Sequence, residues 1–104
     1  MLNVEIQFSD DSAQLICSGR LVHGRECEQL RRIIDGRTES TISIDLAEVE
    51  SVDAAGLGTL VFLHHQLQAE GRELVLISAP EYFLRLLRLT SLENVLSVRD
   101  FCAA

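Results

Sequence analysis

The stretch from Val52 to Leu60, VDAAGLGTL, joins a strand pattern to a helix pattern, and this junction is the best guide to how the chain folds. The buried-strand pattern TISIDL covers residues 41–46, and the amphipathic pattern TLVFLHHQLQ covers residues 59–68. Gly56 and Gly58 fall within the first turns of this helix, where each glycine costs roughly 1 kcal/mol relative to alanine. The compensating gain is either close packing of the helix on a sheet or a bare backbone that a phosphate or a partner protein can approach.

The segment before this stretch predicts a hairpin and one helix. Val4, Ile6 and Phe8 alternate with polar residues, which indicates a strand with one buried face. A turn at residues 9–12 and a second strand at residues 13–18 complete the hairpin. A first helix is expected from Gly24 to the Asp35-Gly36 stop. Its apolar face contains Cys27, Leu30, Ile33 and Ile34.

The segment after it predicts two helices and two strands. The second helix should run from about Ala54 to Glu70, with Gly71 as its left-handed cap. A strand follows at residues 73–77, and Pro80 suits the first turn of a third helix. A short strand at residues 95–98 and a helical turn or frayed tail at residues 100–104 complete the prediction. The inward residues are expected to be Leu57, Leu60, Val61 and Leu67 in the second helix and Phe83, Leu84, Leu86 and Leu87 in the third.

The order of these elements predicts the fold class. Strands separated by helices of this length need crossover connections, and these are right-handed in nearly all proteins. We therefore expect an α/β fold with a central mixed, mostly parallel sheet, an amino-terminal β-hairpin and three to four helices. The absence of a linker, repeat or low-complexity segment predicts a single domain over residues 1–104.

Composition excludes several classes of partner. The net charge of −7 provides no basic field for a nucleic acid or an anionic membrane. No apolar run reaches the roughly 18 to 20 residues of a membrane helix, and the first residues lack the pattern of a signal peptide. Cys17, Cys27 and Cys102 are too scattered for a disulfide framework. We expect a cytoplasmic protein with reduced thiols and no direct membrane insertion.

The sequence contains no recognisable motif for catalysis or for binding a metal or a cofactor. A Walker loop needs a lysine, and the chain contains none. A nucleophile elbow needs Ser, Cys or Thr where this chain has Ala54 and Ala55. His23 and Cys27 form one pair at a zinc-like spacing, but there is no second pair. A protein that is not an enzyme is therefore predicted, and Asp53 is interpreted as the amino-terminal cap of the second helix.

Most of the chain resembles the STAS domain, the fold of bacterial anti-sigma factor antagonists. The resemblance is carried by Asp45-Leu46 at a strand end, by the Asp53-x-x-Gly56-Leu57-Gly58 loop before a long helix, and by the junction at residues 71–76 followed by a leucine-rich helix. Residues 17–34 resemble the second strand and first helix of the family. The family resemblance implies that the loop and the start of the second helix bind a partner protein. These residues are Asp53, Ala54, Ala55, Gly56, Leu57 and Gly58. Flanking contacts are expected from Val22, His23, Asp45, Thr59 and Phe62.

The resemblance also implies a regulatory hydroxyl that this chain lacks. In the family, a kinase phosphorylates the Ser or Thr at the position of Ala55, and Ala54 replaces a second hydroxyl residue. The domain is therefore expected to bind its partner constitutively or to be controlled elsewhere, with Ser51 and Thr59 as weak alternative phosphoacceptors. An acidic residue that aids kinase recognition in the family is replaced by Val22.

Three functions remain open at the level of sequence. The leading one is a non-catalytic module that binds an anti-sigma factor, a histidine-kinase-like ATPase or another signalling protein. The second is an accessory subunit of a lipid-transport ATP-binding cassette system or of a stress-sensing assembly, with Phe62 and Leu63 as interface anchors. The third is a nucleotide-binding regulator that uses Arg20 and Arg25. A homodimer is also considered, through a patch of Tyr82, Leu89 and Phe101.

Overall fold

Strands and helices alternate along the chain, as the crossover argument predicts. The computed structural model describes residues 2–99. The strands are β1 (Leu2–Ser9), β2 (Ser12–Leu21), β3 (Thr41–Val52), β4 (Glu73–Ile77) and β5 (Val98–Arg99). The helices are α1 (Arg25–Asp35), α2 (Ala54–Ala69) and α3 (Glu81–Leu89).

The sheet has five strands in the order β1-β2-β3-β4-β5. Strands β1 and β2 form the predicted antiparallel hairpin, and every later neighbour is parallel. The α/β fold with a mixed, mostly parallel sheet is thereby confirmed, with three helices among residues 2–99. Parallel neighbours require their connecting helices because the chain must return to the same end of the sheet.

The core lies between one face of the sheet and the helices. It is aliphatic, as the composition indicates, and Phe83 is its one fully buried aromatic side chain in the described part of the chain. Burial of this apolar surface is the main force that holds the helices on the sheet. The largest fully buried aliphatic side chains are Leu15, Leu21, Leu30, Ile34, Ile42, Ile44, Leu46, Leu60, Leu63, Leu67 and Leu74.

Several predictions about individual segments are wrong. Phe8 was expected on the buried face of β1, but it lies beside the hairpin turn with 68% of its surface exposed. Strand β3 does not end at Leu46, because pairing with an extended β2 continues to Leu21 and Val52. The last strand is Val98–Arg99 rather than residues 95–98. The predicted turn or tail at residues 100–104 lies outside the described residues.

The topology brings two loops to one edge of the sheet. Strands β2 and β3 are parallel and end side by side, with Leu21 opposite Val52. The loop from β2 to α1 and the junction from β3 to α2 therefore lie next to each other. The longest helix, α2, has 16 residues. No helix among residues 2–99 is long and apolar enough to cross a membrane.

Candidate functional site

Asp53 joins the two loops at this edge. Its Oδ1 accepts a hydrogen bond from the Gly56 amide at 2.8 Å, which caps α2 as predicted. Its Oδ2 accepts a hydrogen bond from the His23 amide at 3.0 Å, across the gap to the β2–α1 loop. These donors, His23 first and Gly56 second, lower the pKa of the Asp53 carboxyl below its ordinary value. The charged form of Asp53 therefore holds the loop against the start of α2.

The two glycines at the start of α2 have different surroundings. A Cβ atom added at Gly56 would lie 2.2 Å from the carbonyl oxygen of Leu21, so no larger residue fits without movement of the backbone. At Gly58, an added Cβ atom would meet no atom within 4 Å. Gly56 thus allows close packing of α2 on the end of β2, whereas Gly58 leaves bare helix backbone at the surface.

A shallow groove of about 380 Å³ runs between α1 and α2 beside this exposed backbone. We call it the α1–α2 groove. Its wall on α2 consists of small side chains, and its wall on α1 carries both charges of the groove. The lining residues are His23, Gly24, Cys27, Glu28, Arg31, Ala55, Gly58 and Thr59.

Phe62 stands at the border of the α1–α2 groove. Its side chain is 49% exposed, and the Arg31 guanidinium lies 4.4 Å from the centre of its ring. Leu63, in contrast, is completely buried in the core. The prediction that Leu63 is an interface anchor together with Phe62 is therefore wrong, because consecutive residues of a helix point in directions about 100° apart.

The two alternative phosphoacceptors, Thr59 and Ser51, lie within a helix and a strand. The Thr59 hydroxyl donates a hydrogen bond of 2.9 Å to the carbonyl oxygen of Ala55, one turn earlier in α2. Thr59 is also 7% exposed. Ser51 lies within β3 and is paired with Arg20 of β2. Neither residue is presented on a free loop.

The remaining predicted contacts divide between the groove and the sheet. His23 lines the α1–α2 groove, and Val22 lies next to it with its carbonyl oxygen 3.2 Å from the Cys27 thiol. The resemblance implied that Asp45 lies at a strand end, but it lies within β3. Its carboxylate accepts a hydrogen bond from the Ala47 amide. Asp45 is not among the residues that line the groove.

The predicted self-association patch is only partly described. The Tyr82 hydroxyl donates a hydrogen bond of 2.6 Å to the carbonyl oxygen of Val49, which ties α3 to β3. Leu89 is 78% exposed at the end of α3. Phe101 lies outside the described residues. The arrangement of a homodimer thus stays a prediction.

A few side chains set the chemistry of the α1–α2 groove. Its thiol, Cys27, is buried and donates to a backbone carbonyl. Residues 2–99 contain no group of three or more His, Cys, Asp or Glu side chains that could hold a metal ion. The exposed aromatic ring of Phe62 and the neighbouring Arg31 are of residue types that are enriched in protein contact surfaces.

Sequence reasoning missed the α1 wall of the groove. Cys27 and Arg31 are four residues apart and therefore lie on one side of α1. The hydrophobic pattern assigns Cys27 to the apolar face and Arg31 to the polar face, so a surface that contains both is not predicted. The signal was present in the spacing. What the spacing does not reveal is that α1 lies next to the start of α2.

Comparison with known proteins identifies related folds. The family model described as "Mlab, STAS domain" matches residues 4–98. A Thermotoga maritima protein proposed to be an anti-sigma factor antagonist superposes with a TM-score of 0.82 at 23% identity, over 96% of this chain and 88% of that one. An anti-sigma factor antagonist from Mycobacterium paratuberculosis superposes with a TM-score of 0.80 at 18% identity, over 94% and 85% of the two chains.

A third similar structure is the anti-sigma factor antagonist SpoIIAA. Its unphosphorylated form has a TM-score of 0.71 at 16% identity, over 94% of this chain and 88% of that one. The phosphorylated form, described as a Bacillus cell fate determinant, has a TM-score of 0.73 at 17% identity, over 97% and 93% of the two chains. At these identities the structures show a shared fold.

Proposed function

The chain belongs to the STAS domain family, and we propose that it is a non-catalytic protein-interaction module in bacterial signalling, similar in role to anti-sigma factor antagonists. The observation that supports this proposal is the surface at the start of α2. Gly58 exposes helix backbone there, with the half-buried Ala55 on one side and the exposed ring of Phe62 on the other. A flat, mainly uncharged surface of this kind suits close approach by a protein partner.

Ala55 determines how such a module would be regulated. In STAS antagonists, phosphorylation at the position of Ala55 would add about 1.5 to 2 negative charges to the surface that the partner contacts. Alanine has no hydroxyl to accept a phosphoryl group, and its side chain lines the α1–α2 groove. We therefore propose that this domain stays in its binding-competent state unless another protein or residue controls it.

The first experiment is affinity purification of the tagged chain from its native cells, followed by identification of the partner and calorimetry with the purified pair. Ala55→Asp should weaken the complex at least about tenfold because a charge is placed in the contact surface. Ala69→Asp is the matched control, since Ala69 is an exposed residue at the other end of α2. Equal affinity of the wild type and Ala55→Asp would remove the α2 start from the interface.

A second experiment tests the loss of the switch. If the partner is a histidine-kinase-like ATPase, incubation with ATP should leave the wild type unmodified and should phosphorylate Ala55→Ser. Intact-protein and peptide mass spectrometry would locate the phosphate. Phosphate on the wild-type chain, at Ser51 or elsewhere, would show that control has moved rather than disappeared.

A second candidate function is an accessory subunit in a permanent complex, such as a lipid-transport ATP-binding cassette system. Ala55 favours this alternative because a permanent subunit needs no cycle of phosphorylation and release. The two functions differ in the protein that is recovered. A kinase-like ATPase supports the antagonist role, whereas a transporter ATPase supports the accessory role.

A further inference from the structure

We propose that the α1–α2 groove binds an acidic segment of the partner protein, with a carboxylate on Arg31 and a neighbouring apolar side chain on Phe62. This inference rests on the proposed function, because it assigns a partner chemistry to the same surface. It goes further because it names the charge of the partner segment and the two residues, Arg31 and Phe62, that contact it.

The distribution of charge supports an acidic occupant. The chain carries a net charge of −7, yet four of its nine basic residues lie between residues 20 and 32, and one of these, Arg31, lines the groove. Within the groove, the one carboxylate, Glu28, lies 3.7 Å from Arg32. Arg31 has no carboxylate within salt-bridge distance among residues 2–99. Several arginines elsewhere do have such partners, in the pairs Arg37–Glu39, Arg72–Glu70, Arg88–Glu81 and Arg99–Glu73.

The contact between Arg31 and Phe62 prepares the guanidinium for a carboxylate. At 4.4 Å from the ring centre, the guanidinium stacks on the aromatic face without using its N–H groups in a salt bridge. A planar guanidinium with free N–H edges binds a carboxylate through two parallel hydrogen bonds. Stacking also restricts the motion of the side chain, so less conformational entropy is lost on binding.

Phe62 and the small residues provide the apolar half of the surface. Half of the Phe62 side chain is exposed, although Arg31 covers part of the ring. Gly58 leaves open space beside it, in which an apolar side chain of the partner can approach the helix backbone. A basic segment would instead meet Arg31 and the neighbouring exposed Arg32 of α1, and like charges disfavour such a complex.

The test uses two synthetic 12-residue peptides and the ¹⁵N-labelled chain. One peptide alternates Asp or Glu with Leu, and the other replaces each Asp by Asn and each Glu by Gln. In NMR titrations, the acidic peptide should shift the amide signals of residues that line the groove, with an affinity at least about tenfold higher than that of the amide peptide. The two peptides binding equally, shifts elsewhere on the molecule, or no shifts at millimolar peptide would overturn the proposal.

Variants then link the effect to Arg31. Arg31→Glu should weaken acidic-peptide binding at least about tenfold, whereas Arg31→Lys, which keeps the charge, should lose less. Arg85→Glu is the matched control, because Arg85 is exposed on α3 and does not line the groove. Circular dichroism would show that the variants remain folded. Equal losses in Arg31→Glu and Arg85→Glu would attribute the effect to net charge and refute a specific site.

The same variants separate this inference from the proposed function once the native partner is purified. If Ala55→Asp weakens the complex and Arg31→Glu does not, the interaction surface stands and the acidic-segment inference fails. If Arg31→Glu weakens it and Ala55→Asp does not, the contact at Arg31 stands and the proposed partner contact at Ala55 is refuted. If neither variant changes the affinity, both proposals are refuted.

Discussion

Asp53 shows how one side chain can connect two segments that are distant in sequence. A helix cap needs only one acceptor oxygen, and Oδ1 serves the Gly56 amide. The second oxygen accepts from His23, thirty residues earlier, and fixes the β2–α1 loop. The cap is predictable from Asp53 and the helix pattern after it, whereas the second hydrogen bond depends on the position of β2.

Asp53→Asn should separate these two roles. Asparagine keeps one side-chain oxygen for the cap but has an NH₂ group, which is a donor, in place of the second oxygen, so it cannot offer separate acceptor oxygens to His23 and Gly56. We expect Tm to fall in the order wild type, Asp53→Asn, Asp53→Ala, and calorimetry or circular dichroism would measure it. Identical Tm values for the Asn and wild-type chains would show that the His23 contact does not stabilise the fold.

The acid dependence of stability follows from the same carboxylate. Because folding lowers the pKa of Asp53, its stabilising effect is present above the unfolded-state value of about 3.8 and is lost as pH falls through the lower folded-state pKa. The stability difference between wild type and Asp53→Asn should therefore shrink below about pH 4. Urea titrations from pH 2 to 7 would measure it, and a constant difference would contradict the assigned interaction.

The two glycines of α2 provide a matched pair of substitutions. Gly56→Ala should destabilise the chain by about 1–3 kcal/mol, because its Cβ would collide with the Leu21 carbonyl. Gly58→Ala should stabilise it by about 1 kcal/mol through helix propensity, since space is open there. Urea unfolding would measure both. Similar effects of the two substitutions would contradict the different roles of these glycines.

Neighbouring residues of helix α2 face different surroundings, some in the core and some at the surface. Leu60, Leu63 and Leu67 are completely buried under the helix, while Phe62 is directed to the groove. The strongly apolar sequence TLVFL does not show which residue faces outward. In the folded chain, Leu63 is buried in the core and Phe62 lies beside Arg31 of α1.

Truncation of these neighbours should have opposite consequences. Leu63→Ala should cost about 2–5 kcal/mol of stability because it leaves a cavity in the core. Phe62→Ala should change stability far less, yet weaken partner binding at least about tenfold. Chemical unfolding and calorimetry with the partner would separate the effects. A Phe62→Ala chain with unchanged affinity would exclude the ring from the interface.

Across the molecule as a whole, the two ends of the parallel sheet differ in the contacts that they make. The carboxyl ends of β2 and β3 support the α1–α2 groove. The amino ends of β3 and β4 are joined by polar contacts around Arg72, whose side chain donates to the carbonyl oxygens of Glu39 at 2.8 Å and Arg37 at 3.0 Å. We therefore expect substitutions around Arg72 to affect stability and not the proposed partner binding at the opposite end.

Arg72→Ala should reduce stability by about 1–3 kcal/mol without changing partner affinity, because it leaves two partly buried carbonyl groups without their donor. Arg72→Lys should restore little, since a single ammonium cannot reproduce the fork of the guanidinium. Arg88→Ala is the control, because its pair with Glu81 is exposed and exposed pairs contribute about 0–1 kcal/mol. A loss of partner affinity in Arg72→Ala would contradict this separation of the two ends.

Local sequence patterns predict the order of elements, the hairpin, the helix cap at Asp53 and the turn at Gly71, whose φ of 74° is the predicted left-handed value. These features depend on local periodicity and on residues with special backbone preferences, which short segments reveal. The α/β class followed because parallel strands require crossovers.

Tertiary packing sets the extension of β3 to Val52, the exposure of Phe8 and the different environments of Gly56 and Gly58. It also places Arg31 of α1 on Phe62 of α2. Each of these features depends on contacts between segments far apart in the chain. Sequence periodicity shows which face of a helix or strand is apolar. Which residues of other helices and strands contact its remaining faces depends on how these elements pack.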